Sequence, residues 1–501
     1  MGHGTVGTCA KTPEGRANES PFSRLFLKEE HEYNAHGISL LSGALGPMQE
    51  GSPSGTKPGI KAGFTFLGQF IDHDLTEFRV VDEALRIVER NPTIGVRQTV
   101  APEENPTTAN GRTGKLDLDS VYGLFGTDNP ALFDNGGFFI LGSESRRNGQ
   151  GPRDISRNVD FADGRLISDP RNDENKVIVQ LHILFMRLHN KIHRAKVGNH
   201  PLGSDGFQDT KQKVQQAYRR IVLCDYLPRI VKADVITNVI NSLRNGTSFY
   251  QQMNRRVNQA IESEEPVIAM PVEFSHAAFR LGHSQLRDRY LIQPDVSIRL
   301  FETFPQQPTD LDGDLRGGQA ITEDNEIDWT LFFGTDGNDG LPLDTFLPAS
   351  VFRLPRPAVS EPPISLAERN ILRGIDFGLP SGQEVAVALR SVYGNIPIVP
   401  GNQLGIPDDV LVIEPSLEIL TPLWYYILRE AQELNPSEPQ LGDVGGYIVA
   451  ETILGSMVAS GFDIGTVCEP RDQPRAINDV NQINSVVDLL VYLGEIDGPF
   501  E

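Results

Sequence analysis

Between Val177 and Ala195, the residues Ile178, Leu181, Leu184, Phe185, Leu188 and Ile192 recur at intervals of three and four, the spacing of one helical face. A run this long and regular cannot settle as a strand, where side chains change face at every residue. The spacing returns at Val214–Tyr226, which Pro228 is expected to stop one turn on. It returns again at Val272–Leu286, Leu366–Phe377, Leu417–Leu434 and Tyr447–Val458. Alternating strand patterns are few and short. The chain is therefore predicted to be mainly α, with irregular connections at 97–115, 303–326 and 336–345. Residues 1–30 are polar and glycine-rich and read as a loosely held N-terminal arm, leaving 31–501 as one domain.

Acidic residues number 67 against 45 basic ones, a formal charge of −22. Such a surface repels phosphate backbones, which argues against nucleic acid as a partner and makes anionic membranes poor ones. No run of 18 apolar residues occurs, so no transmembrane segment is expected. No secretory signal is visible, which leaves secreted and cytoplasmic locations both open. The three cysteines, Cys9, Cys224 and Cys468, imply no disulfide framework, and Cys224 reads as a packing residue in an apolar helical run.

The chemistry concentrates in Gly68-Gln69-Phe70-Ile71-Asp72-His73-Asp74, a neutral amide, an imidazole and two carboxylates set among Phe64, Phe66, Leu67, Phe70 and Ile71. On a helix Gln69 and His73 share a face while Asp72 and Asp74 flank it. Burying this many polar groups is costly without partners, so the cluster points to chemistry. In Thr113-Gly114-Lys115-Leu116-Asp117-Leu118-Asp119, alternation places Thr113, Asp117 and Asp119 on one side. With Asp74 they would offer the oxygen ligands a hard cation such as Ca²⁺ requires; a solvated edge strand is the alternative. Arg171 lies just ahead of the long helix, where a guanidinium could stabilise charge on a polarised ligand. His182, His189 and His193, on that helix, read as structural. His276, Arg280 and His283 fall along one stripe of the predicted Val272–Leu286 helix, and Gly282 within it suggests close approach of a flat ligand.

Ten segments, in order from about 60 to 460, carry a resemblance: GFTFLGQFIDHDLT, GKLDLDSVYG, DPRNDEN, LHILFMRLHN, YRRIVLCDYLPRIV, EFSHAAFRLGHS, IDWTLFFG, NILRGIDFGLP, TPLWYYILREA and VGGYIVAET. They resemble the animal-type heme peroxidases of the peroxidase-cyclooxygenase superfamily, and among them the bacterial members. The resemblance implies a helical core around a buried heme b, with His73 as the distal histidine, Gln69 as its water-holding companion and Arg171 as the distal arginine. It implies His283 as the iron ligand, Asn370 as the amide bonded to its other ring nitrogen, and Arg280 and Arg373 as partners of the heme propionates. Asp72 and Glu174 match the positions that form ester bonds to heme in mammalian members. Asp74, Thr113, the Lys115 carbonyl, Asp117 and Asp119 match the calcium ligands. The implied partners are hydrogen peroxide and small donors such as bromide, iodide, thiocyanate or phenols.

Two departures stand out. Asn175 follows Glu174 where myeloperoxidase has a methionine linked to heme, so that bond cannot form. Ile375-Asp376-Phe377 replaces the usual Arg-Asp-His. One alternative is a fatty-acid dioxygenase or cyclooxygenase, but Arg280 stands three residues before His283 where those enzymes carry a radical-forming tyrosine, and Tyr290 lies seven after. Another is an inactive calcium-binding structural protein, against which stand Gln69, His73, Arg171, His283 and Asn370 together.

Overall fold

A computed structural model describes residues 20–27, 31–49, 59–80, 93–94, 108–123, 128–158, 164–261, 266–301, 313–355, 363–465, 470 and 472–497. The fold is mainly α, with strands present only as short pairs. Two helices are buried on nearly every face. In Lys176–Arg194, Val177, Val179, Ile183 and Met186 are buried as well as the face read from the sequence. A helix that is covered all round belongs to the centre of a large core. The second is Asp443–Ala459, where a Cβ on Gly455 would lie 2.3 Å from the Tyr250 ring. Glycine there lets the Phe249–Ile261 helix pack close.

The three histidines of the first central helix are held inside the core, His189 and His193 through both ring nitrogens and His182 through Nδ1. His189 faces the Tyr122 hydroxyl and the Gly137 carbonyl, each at 3.0 Å, and His193 faces Thr210 Oγ1 at 3.1 Å and the Gly136 carbonyl at 2.9 Å. His182 meets Asn172.

Three predicted helices are interrupted. Asp205–Ile221 runs into a π-helical turn, Val222–Tyr226, and then into Leu227–Ile230. Pro228 sits in the first turn of that last piece, where a missing N–H costs nothing, so it does not end the run. Val272–Leu286 breaks at Ala277 (φ −138°, ψ −75°) into the α-helix Val272–His276 and the 3₁₀-helix Ala278–His283. Leu417–Leu434 begins as a 3₁₀ turn, Pro415–Glu418, and restarts at Leu423 with Pro422 as its N-cap.

Two further expectations are corrected. Residues 20–27 are no loose arm: Phe22–Ser23 pairs in parallel with Met270–Pro271, and Phe22 and Leu25 are buried. Residues 1–19 and 28–30 lie outside the described set. Cys224 is disulfide-bonded rather than a simple packing residue; Cys9 and Cys468 lie outside the described residues. Among the described residues no helix is long and apolar enough to cross a membrane.

Candidate active site

The helix Ala62–Leu75 carries the polar cluster, anchored by buried Phe64, Phe66, Leu67, Phe70 and Ile71. It lies tight against its neighbour, since a Cβ on Gly68 would sit 2.4 Å from the Tyr226 hydroxyl. Consecutive helical residues diverge by about 100°, so Asp72, His73 and Asp74 serve three different surroundings.

His73 is buried, with Nδ1 2.9 Å from Asn172 Oδ1 and Nε2 3.5 Å from Glu174 Oε1. Gln69 Nε2 donates to the same Glu174 oxygen, while Gln69 Oε1 accepts from Asn175 Nδ2 at 3.2 Å. Asn175 Oδ1 is occupied by Val177 and Ile178 N–H groups, which fixes the orientation of its amide and so that of Gln69. Asn175 thus caps the central helix and holds Gln69 at once. Burial pushes the Glu174 carboxyl up, but its contact with His73 outweighs this and holds it below the ordinary value.

Arg171 stands in the 3₁₀ turn Pro170–Asp173 and is heavily engaged. It donates to the His73 carbonyl (2.9 Å), the Thr76 carbonyl (2.7 Å) and Asp169 (2.8 Å). Asp169 also binds Arg112; burial raises its pKa, but the two guanidiniums override that and hold the carboxylate well below its usual range. Arg171 therefore ties the end of the polar helix to this turn. Asp72 accepts from Thr76 Oγ1 at 2.9 Å, and burial above all raises its carboxyl.

On the far side of the same helix, carboxylate oxygens of Asp74, Asp117 and Asp119 lie within 4.8 Å of one another. Among the described residues neither Asp74 oxygen makes a hydrogen bond of good geometry, and Asp119 Oδ1 has none either, its only neighbouring cation being Arg112 at 3.6 Å. Burial first, and then Asp117, push the Asp74 carboxyl up to about 8; burial also raises Asp117 and Asp119. The segment is a loop and not the solvated edge strand that stood as its alternative: Leu118 adopts φ 57° and Asp119 opens a short helix, Asp119–Tyr122. Thr113 Oγ1 donates to Asp117 (3.1 Å) and accepts from the Lys115 N–H (3.2 Å), so Thr113 joins the three acids, while Lys115 is tied in through its N–H. Crowded acids with unpartnered oxygens fit a hard cation of the Ca²⁺ class.

His283 ends the 3₁₀-helix Ala278–His283, which packs on the polar helix where Gly282 faces Thr65. A Cβ on Gly282 would meet only Thr65 at ordinary contact distance, so protein packing alone does not require glycine there. The break at Ala277 separates His276 from the stripe expected to join it to His283. His276 is instead enclosed by Phe22, Phe78 and Phe377. Burial first, then Arg280, pushes the His283 imidazole down to about 3, so it is neutral. Asn370 Nδ2 lies 2.8 Å from His283 Nδ1, and Asn370 Oδ1 accepts from Arg280 at 3.4 Å. Ligation of iron through Nε2 needs a proton on Nδ1. A half-turn of the Asn370 amide would present its oxygen to that proton without moving the imidazole, at the expense of the long contact with Arg280.

Arg280 and Arg373 form no ion pair among the described residues. Arg373 stacks on Phe78 and Phe377, 4.7 and 5.1 Å from the ring centres. Burial pushes Arg280 down to about 10; burial, then the charge of Arg280, pushes Arg373 down to about 9. Gln69, Asp72, Glu174, Arg280, Gly282 and Arg373 are only partly buried although their elements lie deep in the fold, so each keeps some accessible area beside its side-chain partners. A neutral imidazole, two cationic groups short of anions and a polar opposite wall fit a porphyrin with its propionates.

Sequence reasoning missed Asn172, Asn175 as a holder of Gln69, and the Asp169–Arg112 pair. The signal available was the density of hydrogen-bonding side chains in Asp169-Pro170-Arg171-Asn172-Asp173-Glu174-Asn175.

A curated relative, Peroxinectin A of Dictyostelium discoideum, is 22% identical over 216 residues, 43% of this chain but only 35% of that protein. The chain thus matches about a third of that relative's length. Among solved structures, Peroxidase A from the same organism aligns with TM-score 0.55 and 16% identity over 93% of this chain and 95% of that one. A fatty acid alpha-dioxygenase from Arabidopsis thaliana aligns with TM-score 0.51 and 13% identity over 91% and 74%. At these identities both show a shared fold. Residues 48–390 match the family described as animal haem peroxidase, a family of heme-binding oxidoreductases, and the chain belongs to it.

Proposed function

We propose that this chain is a heme peroxidase that reduces hydrogen peroxide at His73 and oxidises small donors such as bromide, iodide, thiocyanate or phenols. The observation that carries the reading is the pairing of two walls. Buried His73 presents Nε2 toward Gln69 and Glu174, while neutral His283 is backed by Asn370 on the adjoining element. His283 would hold the iron, Arg280 and Arg373 the propionates, and Asp72 and Glu174 would be the carboxylates available for ester links. When bound, the heme supplies the redox chemistry that cleaves the O–O bond.

The chain's own residues handle protons and position. His73 Nε2 would accept a proton from hydrogen peroxide and return it to the departing oxygen. Gln69, held by Asn175 and Glu174, orients water beside that nitrogen. Arg171 would favour negative charge building on the departing oxygen. Its engagement with Asp169 and two carbonyls makes that contribution secondary to its hold on the helix end. A calcium ion at Asp74, Thr113, Lys115, Asp117 and Asp119 would fix the residue next to His73.

The dioxygenase alternative finds no support at the site. Arg280 occupies the tyrosine position, and Tyr290 is fixed by the Arg287 N–H (2.9 Å) and packed against Phe66 and Phe332. The test is peroxide addition to purified protein, read by the heme absorption band and by turnover of each donor. His73→Ala should keep heme and slow the peroxide step by about 10²–10⁴-fold. His283→Ala should lose or barely retain heme. Unchanged peroxide kinetics in the first variant, or full heme content in the second, would remove the corresponding assignment. Fatty-acid oxygenation without peroxide turnover would replace the reading.

A further inference from the structure

Asn172 is completely buried and lies between two imidazoles. Its Oδ1 is 2.9 Å from His73 Nδ1; its Nδ2 is 3.0 Å from His182 Nδ1 and 3.4 Å from the Ser120 carbonyl. A carbonyl can only accept, so Ser120 places the amide hydrogens on its own side and the amide oxygen toward His73. Burial pushes the His182 imidazole down to about 4, so that ring is neutral and its Nδ1 is free to accept from Asn172. His182 must then carry its proton on Nε2, which is buried without a partner among the described residues. Leaving such a group unsatisfied is costly, and the arrangement persists despite that cost.

We infer that Asn172 is a positioning residue that keeps a proton on His73 Nδ1, so that the opposite nitrogen, Nε2, which faces Glu174 Oε1 at 3.5 Å, is the one left to exchange protons. An imidazole protonated on Nε2 instead would offer peroxide a donor where a base is needed, and the ring would be free to rotate. His182 and Ser120 act through Asn172 by fixing its amide. No residue of the polar helix itself does this work: the restraint comes from the turn ahead of the central helix, and reaches His73 from the side opposite the cavity.

The inference rests on the peroxidase reading for its consequence, though not for its geometry, and the experiment separates the two. In the unmutated chain loaded with diamagnetic zinc protoporphyrin and labelled with ¹⁵N-histidine, His73 (assigned by its loss in His73→Gln) should show a protonated Nδ1. An unprotonated Nδ1 overturns the inference whatever the enzyme does. In the iron-loaded protein, Asn172→Ala should slow the peroxide step and the binding of HCN, which must surrender its proton to the same nitrogen, by about tenfold to a hundredfold each. KM for the donor and heme content should stay unchanged. Asn172→Asp keeps an acceptor facing Nδ1 and should recover most of both rates. Equal loss in Ala and Asp variants, or no loss in Ala, overturns the positioning role. Absence of peroxide turnover in the unmutated protein, with Nδ1 protonated, removes the functional reading alone.

Discussion

Two groups of like charge are buried in this molecule, the carboxylates Asp74, Asp117 and Asp119 and the guanidiniums Arg280 and Arg373, and they are left in different conditions. The acids can discharge themselves: burial and mutual repulsion lift Asp74 to about 8, so protons can stand in for a cation near neutrality. The arginines cannot, because even at about 9 and 10 they stay charged at pH 7. The acid group should therefore respond to pH and calcium together, whereas the arginine pair, with no ion pair among the described residues and only the charges of Asp72 and Asp376 nearby, keeps its charge. One cluster adjusts; the other cannot.

Replacing both Arg280 and Arg373 by Met should break the contrast most severely. Each charge-assisted hydrogen bond lost is worth about 1.5–3 kcal/mol, so heme retention, followed by transfer to apomyoglobin, should fall at least a hundredfold. The chain without heme should unfold no more easily than its parent. Loss of stability with unchanged heme retention would mean the pair serves packing alone.

Removing Asp117 and Asp119 together, as Ala, should abolish the response to calcium. At a calcium concentration a hundredfold above its dissociation constant the parent gains about 2.7 kcal/mol; the double variant should gain none. Thermal unfolding with and without chelator measures this, and equal midpoints for the parent would dismiss the cation site.

The smallest effect sharpens the comparison through pH. The Asp74 carboxyl titrates higher in the folded chain than in the unfolded one, so with chelator present its contribution is intact below about 4 and is lost as pH rises through about 8. Asp74→Asn should therefore stabilise the chelated protein increasingly over that window. With calcium present the same variant should be the less stable one. A pH-independent difference would show that Asp74 is not strained by its neighbours.

Much of this was readable in the amino-acid order. The mainly α character followed from three-and-four spacing in Lys176–Arg194, and Gln69, His73 and Glu174 do meet, as do His283 and Asn370. What was hidden depends on backbone geometry that periodicity cannot register. The break at Ala277 falls inside an apolar pattern that reads as one helix, and only the backbone angles there part His276 from His283. Pro228 reads as a stop, yet the π turn before it delivers it to a position that tolerates it. Phe22 and Leu25 lie within a polar stretch whose composition masks two buried anchors. Asn172 and Asn175 could not be ranked above other polar residues, because their roles lie in partners about a hundred positions away.

Asp72, His73 and Asp74 leave one helical turn in three directions, so the molecule has no means of re-aiming one without disturbing the others. A twist of that helix by a single residue's worth would swing the imidazole off its amide tether, pull the lone carboxylate from the acid group and turn its twin away from the guanidiniums. Ion occupancy and reactivity are thus geared to one shaft: whatever loosens the mineral side should be felt first as lost aim on the other.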